Sequence, residues 1–242
     1  MLEGKGITKK FGGIVALNQV DFRVESGSIF GLIGPNGSGK TTLFNVICGF
    51  YKPDGGEVMF EGRRITGYPP HKICRVGIAR TFQQVKPFMN MKVLDNVLIA
   101  LQHGRKSVNG KGARQAAALQ LLELLKLEDK SDVESKKLTL AERKRLEIAR
   151  ALATGPKMLL LDEYMAGLNP TEVDEAIHLL RSIRNRFDVT IFIIEHVLRA
   201  VMNLCERVMV LNHGVKIAEG TPTEITRNTE VIKAYLGERY VA

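Results

Sequence analysis

Gly34-Pro35-Asn36-Gly37-Ser38-Gly39-Lys40-Thr41 is the stretch on which the reading of this chain turns. Its spacing is G-x-x-x-x-G-K-[ST], and each residue type has a reason to be there. Glycines permit a tight turn and leave backbone N–H groups pointing into a concave loop that suits phosphate oxygens. Lys40 can reach β- and γ-phosphates, and the Thr41 hydroxyl can ligate Mg²⁺. The flanks agree. Ser28-Ile29-Phe30-Gly31-Leu32-Ile33 has the mostly apolar run of a buried parallel strand. Leu43, Val46 and Ile47 recur at helical spacing, and Gly49 is a stop signal. A strand, a glycine loop and a helix in that order point the helix N-terminus, with its partial positive charge, at an anion. Gly34, Pro35, Asn36, Gly37, Ser38, Gly39, Lys40, Thr41 and Thr42 are therefore the candidate nucleotide-binding residues, with ATP as the expected nucleotide.

A second constellation lies downstream. In Met158-Leu159-Leu160-Leu161-Asp162-Glu163 four apolar residues end in two carboxylates. The acids emerge at the carboxyl edge of a buried strand, where ligands bind in open α/β sheets. Asp162 can hold Mg²⁺ through water, and Glu163 can orient or deprotonate an attacking water.

The rest of the 242 residues places these two signals in one α/β core. Leu17–Val24 alternates apolar and polar residues as a half-buried strand does. Glu57–Phe60 and Arg63–Ile65, joined by Glu61-Gly62, read as a hairpin. From about Val93 the pattern turns helical, with Ala116–Leu127 and Ala141–Ala153 as helices and the basic stretch Gly104–Gly112 as a surface loop. Asn169 is an N-cap candidate with Pro170 after it, and Val189–Ile194 is a further strand. Arg207–Leu211 and Val215–Ala218 flank Asn212-His213-Gly214 as a second hairpin. The expected organisation is an antiparallel β region and the phosphate loop in 1–85, a helical subdomain in 86–153, and the rest of the core in 154–242.

Composition narrows the class. No apolar run approaches the ~20 residues a membrane helix requires. Lys5, Lys9 and Lys10 interrupt any signal-peptide pattern, so a cytosolic chain is expected. Cys48, Cys74 and Cys205 are widely spaced, which reads as reduced packing residues. The net charge of +9 comes in small groups, among them Arg63-Arg64 and Arg143-Lys144-Arg145. These read as solvated faces, with attraction to ATP or an anionic membrane as the functional alternative. Five Tyr and no Trp leave few stacking platforms, and no nucleic-acid partner is expected.

With both constellations in place, the chain resembles the nucleotide-binding subunit of an ATP-binding cassette (ABC) transporter over essentially its whole length. Within that superfamily it is most similar to the ATPases of branched-chain amino-acid importers. The closer likeness rests on Arg80-Thr81-Phe82-Gln83, Ala166-Gly167-Leu168-Asn169-Pro170, Ile194-Glu195-His196 and Ala234-Tyr235-Leu236-Gly237-Glu238. The resemblance implies an ABC-type P-loop NTPase fold and hydrolysis of ATP with Mg²⁺. It implies that Phe11 stacks on adenine, the alternative being a core residue at a strand end. Gln83 matches the glutamine that senses Mg²⁺ and the γ-phosphate and couples to the membrane partner; Gln84 stands next to it. His196 matches the switch histidine at the γ-phosphate. The catalytic set is then Lys40, Gln83, Glu163 and His196, and the metal set Thr41, Gln83 and Asp162. Implied partners are transmembrane permease subunits, a second ATPase subunit and, indirectly, an external solute-binding protein. The implied location is the cytoplasmic face of the inner membrane.

One segment departs from the family. Where its signature reads Leu-Ser-Gly-Gly-Gln, this chain has Leu138-Thr139-Leu140-Ala141-Glu142. In the family this segment completes the partner subunit's site across a dimer. Thr139 keeps a hydroxyl, Ala141 adds a Cβ, and Glu142 adds a negative charge. Thr139-x-x-Glu142 is also an N-terminal capping box. The drift favours pairing with a different ATPase subunit. The alternatives are the ATPase of a lipopolysaccharide-export machine and a soluble regulatory ABC ATPase. Arg80-Thr81-Phe82-Gln83 argues against the first, and Glu163 with His196 against the second.

Overall fold

The computed structural model describes residues 1–83, 87–106 and 108–236. Gln84, Gly237 and Glu238 lie outside the described residues. Along the chain run β1 (Leu2–Phe11), β2 (Ile14–Val24), β3 (Ile29–Ile33), α1 (Lys40–Ile47), β4 (Gly55–Phe60), β5 (Arg63–Arg64), α2 (Pro70–Val76) and β6 (Ile78–Arg80). Then come α3 (Val93–His103), α4 (Lys111–Leu124) and α5 (Leu140–Ala153). The chain continues through β7 (Met158–Asp162), α6 (Pro170–Phe187), β8 (Thr190–Ile194), α7 (Leu198–Leu204), β9 (Arg207–Asn212), β10 (Val215–Gly220), α8 (Pro222–Arg227) and α9 (Thr229–Leu236).

Among the described residues the strands form two sheets. The first is antiparallel, in the order β2-β1-β4-β5. The second runs β10-β9-β3-β8-β7-β6, parallel except for β10. Every residue of β3, β7 and β8 is buried, which is why these segments read as continuous apolar runs. Their side chains alternate between two cores. Leu159, Leu161, Ile191 and Ile193 face the core shared with α3, α4 and α5. Leu160, Phe192 and Ile194 face the core shared with α1 and the antiparallel sheet. Phe192 anchors that side, with ring centroids 5.0 Å from Phe44, 5.3 Å from Phe30 and 6.0 Å from Phe22. The apolar faces of α3 (Val93, Val97, Leu101) and α4 (Ala118, Leu121, Leu122) pack with α5 on the first core.

Both expected hairpins form. Glu61 and Gly62 have φ of 51° and 74°, and His213 and Gly214 have 45° and 77°. Positive φ at both central residues is the turn that matches strand twist. Two boundaries differ from the sequence reading. α4 starts at Lys111, inside the stretch read as loop, because a glycine, Gly110 at φ 88°, can take the strained position just before the helix. It stops at Leu124 because Lys126, at φ 55°, turns the backbone left-handed. Helix α2 was not anticipated. Its signals are Pro70 at the first turn and Gly77 at the C-cap with φ 111°, around only seven residues.

Candidate active site

The quoted loop joins β3 to α1 and needs its glycines at specific points. A Cβ on Gly34 (φ 151°) would lie 2.1 Å from the Leu211 carbonyl oxygen, and one on Gly39 (φ 103°) 2.6 Å from that of Ala16. The loop is thus wedged against β9 and β2, and its backbone has no room for a side chain on that side. Gly39 is the N-cap of α1, with no side-chain cap and no acidic residue in the first turn. The N-terminal amides and their partial charge stay available to an anion. Lys40 is buried and donates from Nζ to the carbonyls of Gly34 (2.8 Å) and Pro35 (2.9 Å). Burial lowers its pKa below 10.5, opposed by the charges of Glu163 and Asp162. The Ser38 hydroxyl is buried with no hydrogen-bond partner among the described residues.

Strand β7 delivers Asp162 and Glu163 to this loop. Asp162 is buried, and its Oδ2 accepts from Arg80 Nη2 at 2.7 Å, while Oδ1 has no hydrogen-bond partner among the described residues. Burial raises its pKa above 3.8, against the lowering effect of Arg80. Glu163 leaves the strand at φ 52°, and its N–H donates to the Ile194 carbonyl at 2.9 Å. This left-handed step points its carboxylate back into the site. Gln83 Nε2 donates to Glu163 Oε2 at 2.7 Å, and His196 Nε2 lies 2.5 Å from Glu163 Oε1. Residues from the ends of β6, β7 and β8 therefore converge on one carboxylate. The arrangement can grip a triphosphate with Lys40 and the loop amides, and aim a carboxylate at a water beside it.

Three side chains in this cluster were not assigned a role from sequence. Lys144, read as part of a solvated basic group, is instead buried. Its Nζ donates to the carbonyls of Tyr164 (2.6 Å), Ala166 (2.7 Å) and Glu163 (3.3 Å), tying α5 to the turn after β7. Its signal was available: a lysine one helical turn before buried Ile148 on the apolar face of α5. Glu195 is buried and accepts from the Met165 N–H at 2.8 Å; burial raises its pKa, opposed first by the neighbouring backbone N–H groups. Arg80, quoted above only for its family likeness, pairs with Asp162 and donates from Nη1 to Asn45 Oδ1 at 2.6 Å.

The remaining expected residues lie on surfaces. Phe11 ends β1 and is 42% exposed, which sets aside the core alternative. Its ring meets Tyr51 edge-on, with centroids 5.2 Å apart. Thr139, Leu140, Ala141 and Glu142 begin α5, and the capping box is formed. Thr139 Oγ1 accepts from the Glu142 N–H (3.3 Å), and Glu142 Oε2 accepts from the Thr139 N–H (2.8 Å). Asn169 and Glu172 form a second capping box on α6.

The ABC transporter family model matches residues 17–166, and the branched-chain amino acid ATP-binding cassette transporter model matches residues 215–241. The chain is 41% identical to the high-affinity branched-chain amino acid transport ATP-binding protein BraF of Pseudomonas aeruginosa, over 98% of both chains. It is 40% identical to LivG of Escherichia coli, of the same description and coverage. The lipopolysaccharide export ATP-binding protein LptB of Acidithiobacillus ferridurans is 36% identical, over 99% of this chain and 98% of its own. A crystal structure of an ABC transporter cassette in its ADP conformation superposes with a TM-score of 0.88 at 35% identity, covering 98% of this chain and 99% of that one. A dimeric cassette bound to ADP and phosphate gives a TM-score of 0.81 at 26% identity, covering 92% and 99%.

Proposed function

The chain belongs to the ABC transporter ATP-binding family, and we propose that its own phosphate loop, Asp162, Glu163, Gln83 and His196 form the hydrolytic site that powers import. It is an ATP-binding and hydrolysing subunit of a branched-chain amino-acid ABC importer. Among the described residues no helix is long and apolar enough to cross a membrane. Transmembrane permease subunits carry the solute in this reading.

The observation that carries the assignment of roles is the convergence of Gln83 and His196 on Glu163 beside Lys40. Lys40 exchanges its bonds to the loop carbonyls for phosphate oxygens. Glu163 accepts or orients the proton of the attacking water, and Gln83 and His196 fix its two oxygens. The donor set fits Mg²⁺. Among the described residues Asp162 Oδ1 is buried without a partner, and Ser38 Oγ likewise. No group of three or more His, Cys, Asp or Glu forms a metal cage among the described residues. Mg²⁺ commonly takes one or two carboxylates with substrate phosphates rather than such a cage. Asp162, Thr41 and Gln83 are the residues that would hold it. When bound, the ion neutralises charge on the phosphates. Phe11, exposed beyond the loop, serves as the adenine platform. The permease subunits dock beside Gln83, where exposed Phe50, Phe82 and Phe88 line a groove of about 850 Å³.

The capping box supports pairing with a second, different ATPase subunit. It occupies two N–H donors of α5 and folds the Glu142 charge onto the helix end. That leaves this chain a poor donor to phosphate on a partner's loop. The partner supplies the better signature, and the assembly sits on the cytoplasmic face of the inner membrane with an external solute-binding protein. The test of the site is Lys40→Ala in the purified chain. Hydrolysis is abolished and ATP binding strongly weakened, because the charge facing the phosphates is gone. Turnover near that of the wild type would overturn the assignment.

A further inference from the structure

Arg80 stands between two features that the mechanism treats separately. On one side its guanidinium holds Asp162 Oδ2 at 2.7 Å and Asn45 Oδ1 at 2.6 Å. On the other it lies against a box of three phenylalanine rings, with centroids 5.2 Å (Phe82), 5.6 Å (Phe44) and 5.9 Å (Phe50) from the guanidinium carbon. The side chains of the pair are nearly dry, 6% exposed for Arg80 and 1% for Asp162. Phe44 is fully buried, but Phe50 and Phe82 are about half exposed and meet edge-on at 5.9 Å. The groove lined by these two rings runs inward to Thr41, Gln83 and Asp162.

We propose that Arg80 is a positioning residue: it orients the carboxylate of Asp162 for the metal ion, and Phe50 and Phe82 set its pose from the groove. The planar guanidinium can bond Asn45 and Asp162 at once, which a single ammonium cannot reproduce. By occupying Oδ2 it leaves Oδ1 as the available oxygen, and that atom is the unpartnered one. The rings supply the opposite wall. A guanidinium packed against aromatic faces in a desolvated site is held by both charge and contact. Asn45 lies on α1 one turn beyond Thr41, so the same guanidinium fixes Asp162 relative to the helix that carries the other metal-holding side chain. Whatever displaces Phe50 or Phe82 therefore moves the metal-facing carboxylate, by a route separate from Gln83.

The inference rests on the Mg²⁺ reading above, and the experiment separates the two. Affinity of the full chain for a fluorescent non-hydrolysable ATP analogue is titrated in MgCl₂ and in EDTA, giving a metal-dependent gain. In Arg80→Met the gain falls at least tenfold while affinity in EDTA stays within twofold of wild type. Arg80→Lys keeps the charge and folds more readily, and it loses part of the gain. Phe50→Ala, at a residue outside the nucleotide-binding set, lowers the gain two- to fivefold. A wild-type chain with no gain overturns the Mg²⁺ assignment itself. A wild-type gain preserved within twofold in Arg80→Met and Arg80→Lys overturns the role of Arg80. Loss in the Arg80 variants with none in Phe50→Ala overturns the link to the groove.

Discussion

Replacing Lys144 by Met removes a charge that touches no substrate, yet it should slow hydrolysis strongly. The Lys144 ammonium holds three carbonyls of the turn after β7, those of Glu163, Tyr164 and Ala166. Of these residues Tyr164 is buried, so its carbonyl loses its bond with little access to water. An unsatisfied buried acceptor costs roughly 1–3 kcal/mol, and hydrogen bonds from charged donors are worth about 1.5–3 kcal/mol each. Relief of the buried charge offsets several kcal/mol of that sum. The net loss of stability should be about 2 kcal/mol, small enough for the fold to persist in a domain of ordinary stability. The larger effect falls on the site. Glu163 sits at φ 52°, a left-handed pose that strains a non-glycine residue by roughly 1–2 kcal/mol. Its N–H is held by Ile194, and its carbonyl by Lys144 at 3.3 Å together with the Ala166 N–H at 3.2 Å, whose own carbonyl Lys144 also anchors. With one hold gone, the backbone relaxes and the carboxylate shifts. A misplacement of about 1 Å costs on the order of 10²-fold in rate. Steady-state ATPase assays should show kcat down by about two decades with KM for ATP nearly unchanged, because Lys40 and the loop amides are untouched. A folded Lys144→Met protein with wild-type kcat, or a rise in KM that accounts for the whole loss, would refute the reasoning.

Two further outcomes follow from other parts of the structure. Restoring Gly at 141 and Gln at 142 should raise the ATPase activity of the isolated homodimer. In a mixed complex the gain should appear at the partner's loop, read by disabling one loop lysine at a time; no gain in either assembly would make the capping box a neutral variation. Burial holds Lys144 below 10.5, so between the lowered value and 10.5 the unfolded chain keeps a proton that the folded chain has released. This residue therefore makes stability rise with pH across that window. Denaturant melts at stepped pH should show a shallower alkaline rise for Lys144→Met than for wild type, and equal slopes would contradict it.

The phosphate loop, the Asp-Glu strand end, both hairpins, the Thr139 capping box and the Asn169 N-cap were legible because each is a local pattern. Their physics acts over a few residues: glycine φ, apolar runs and caps. What the sequence hid depends on which way a side chain points after folding. Lys144 lies between Arg143 and Arg145 in a basic run, and only the rotation of α5 against the turn after β7 sends it inward. Arg80 and Asp162 are 82 residues apart and meet because β6 pairs with β7 in register, Arg80 opposite Leu160. Glu195 precedes the expected histidine and looked like part of its label, yet it is a buried carboxylate that accepts from the Met165 N–H across 30 residues.

The central claim is that Glu163 makes this chain's own loop a hydrolytic site. Glu163→Gln tests it most directly, by pairing nucleotide affinity with single-turnover hydrolysis of bound ATP. The amide can still bond one of its two neighbours, Gln83 or His196, but it cannot accept a proton. Affinity should be retained and the single-turnover rate should fall by about 10²–10⁴-fold, the usual share of a general base. Affinity that collapses while the single-turnover rate of the bound fraction is unchanged would contradict the account.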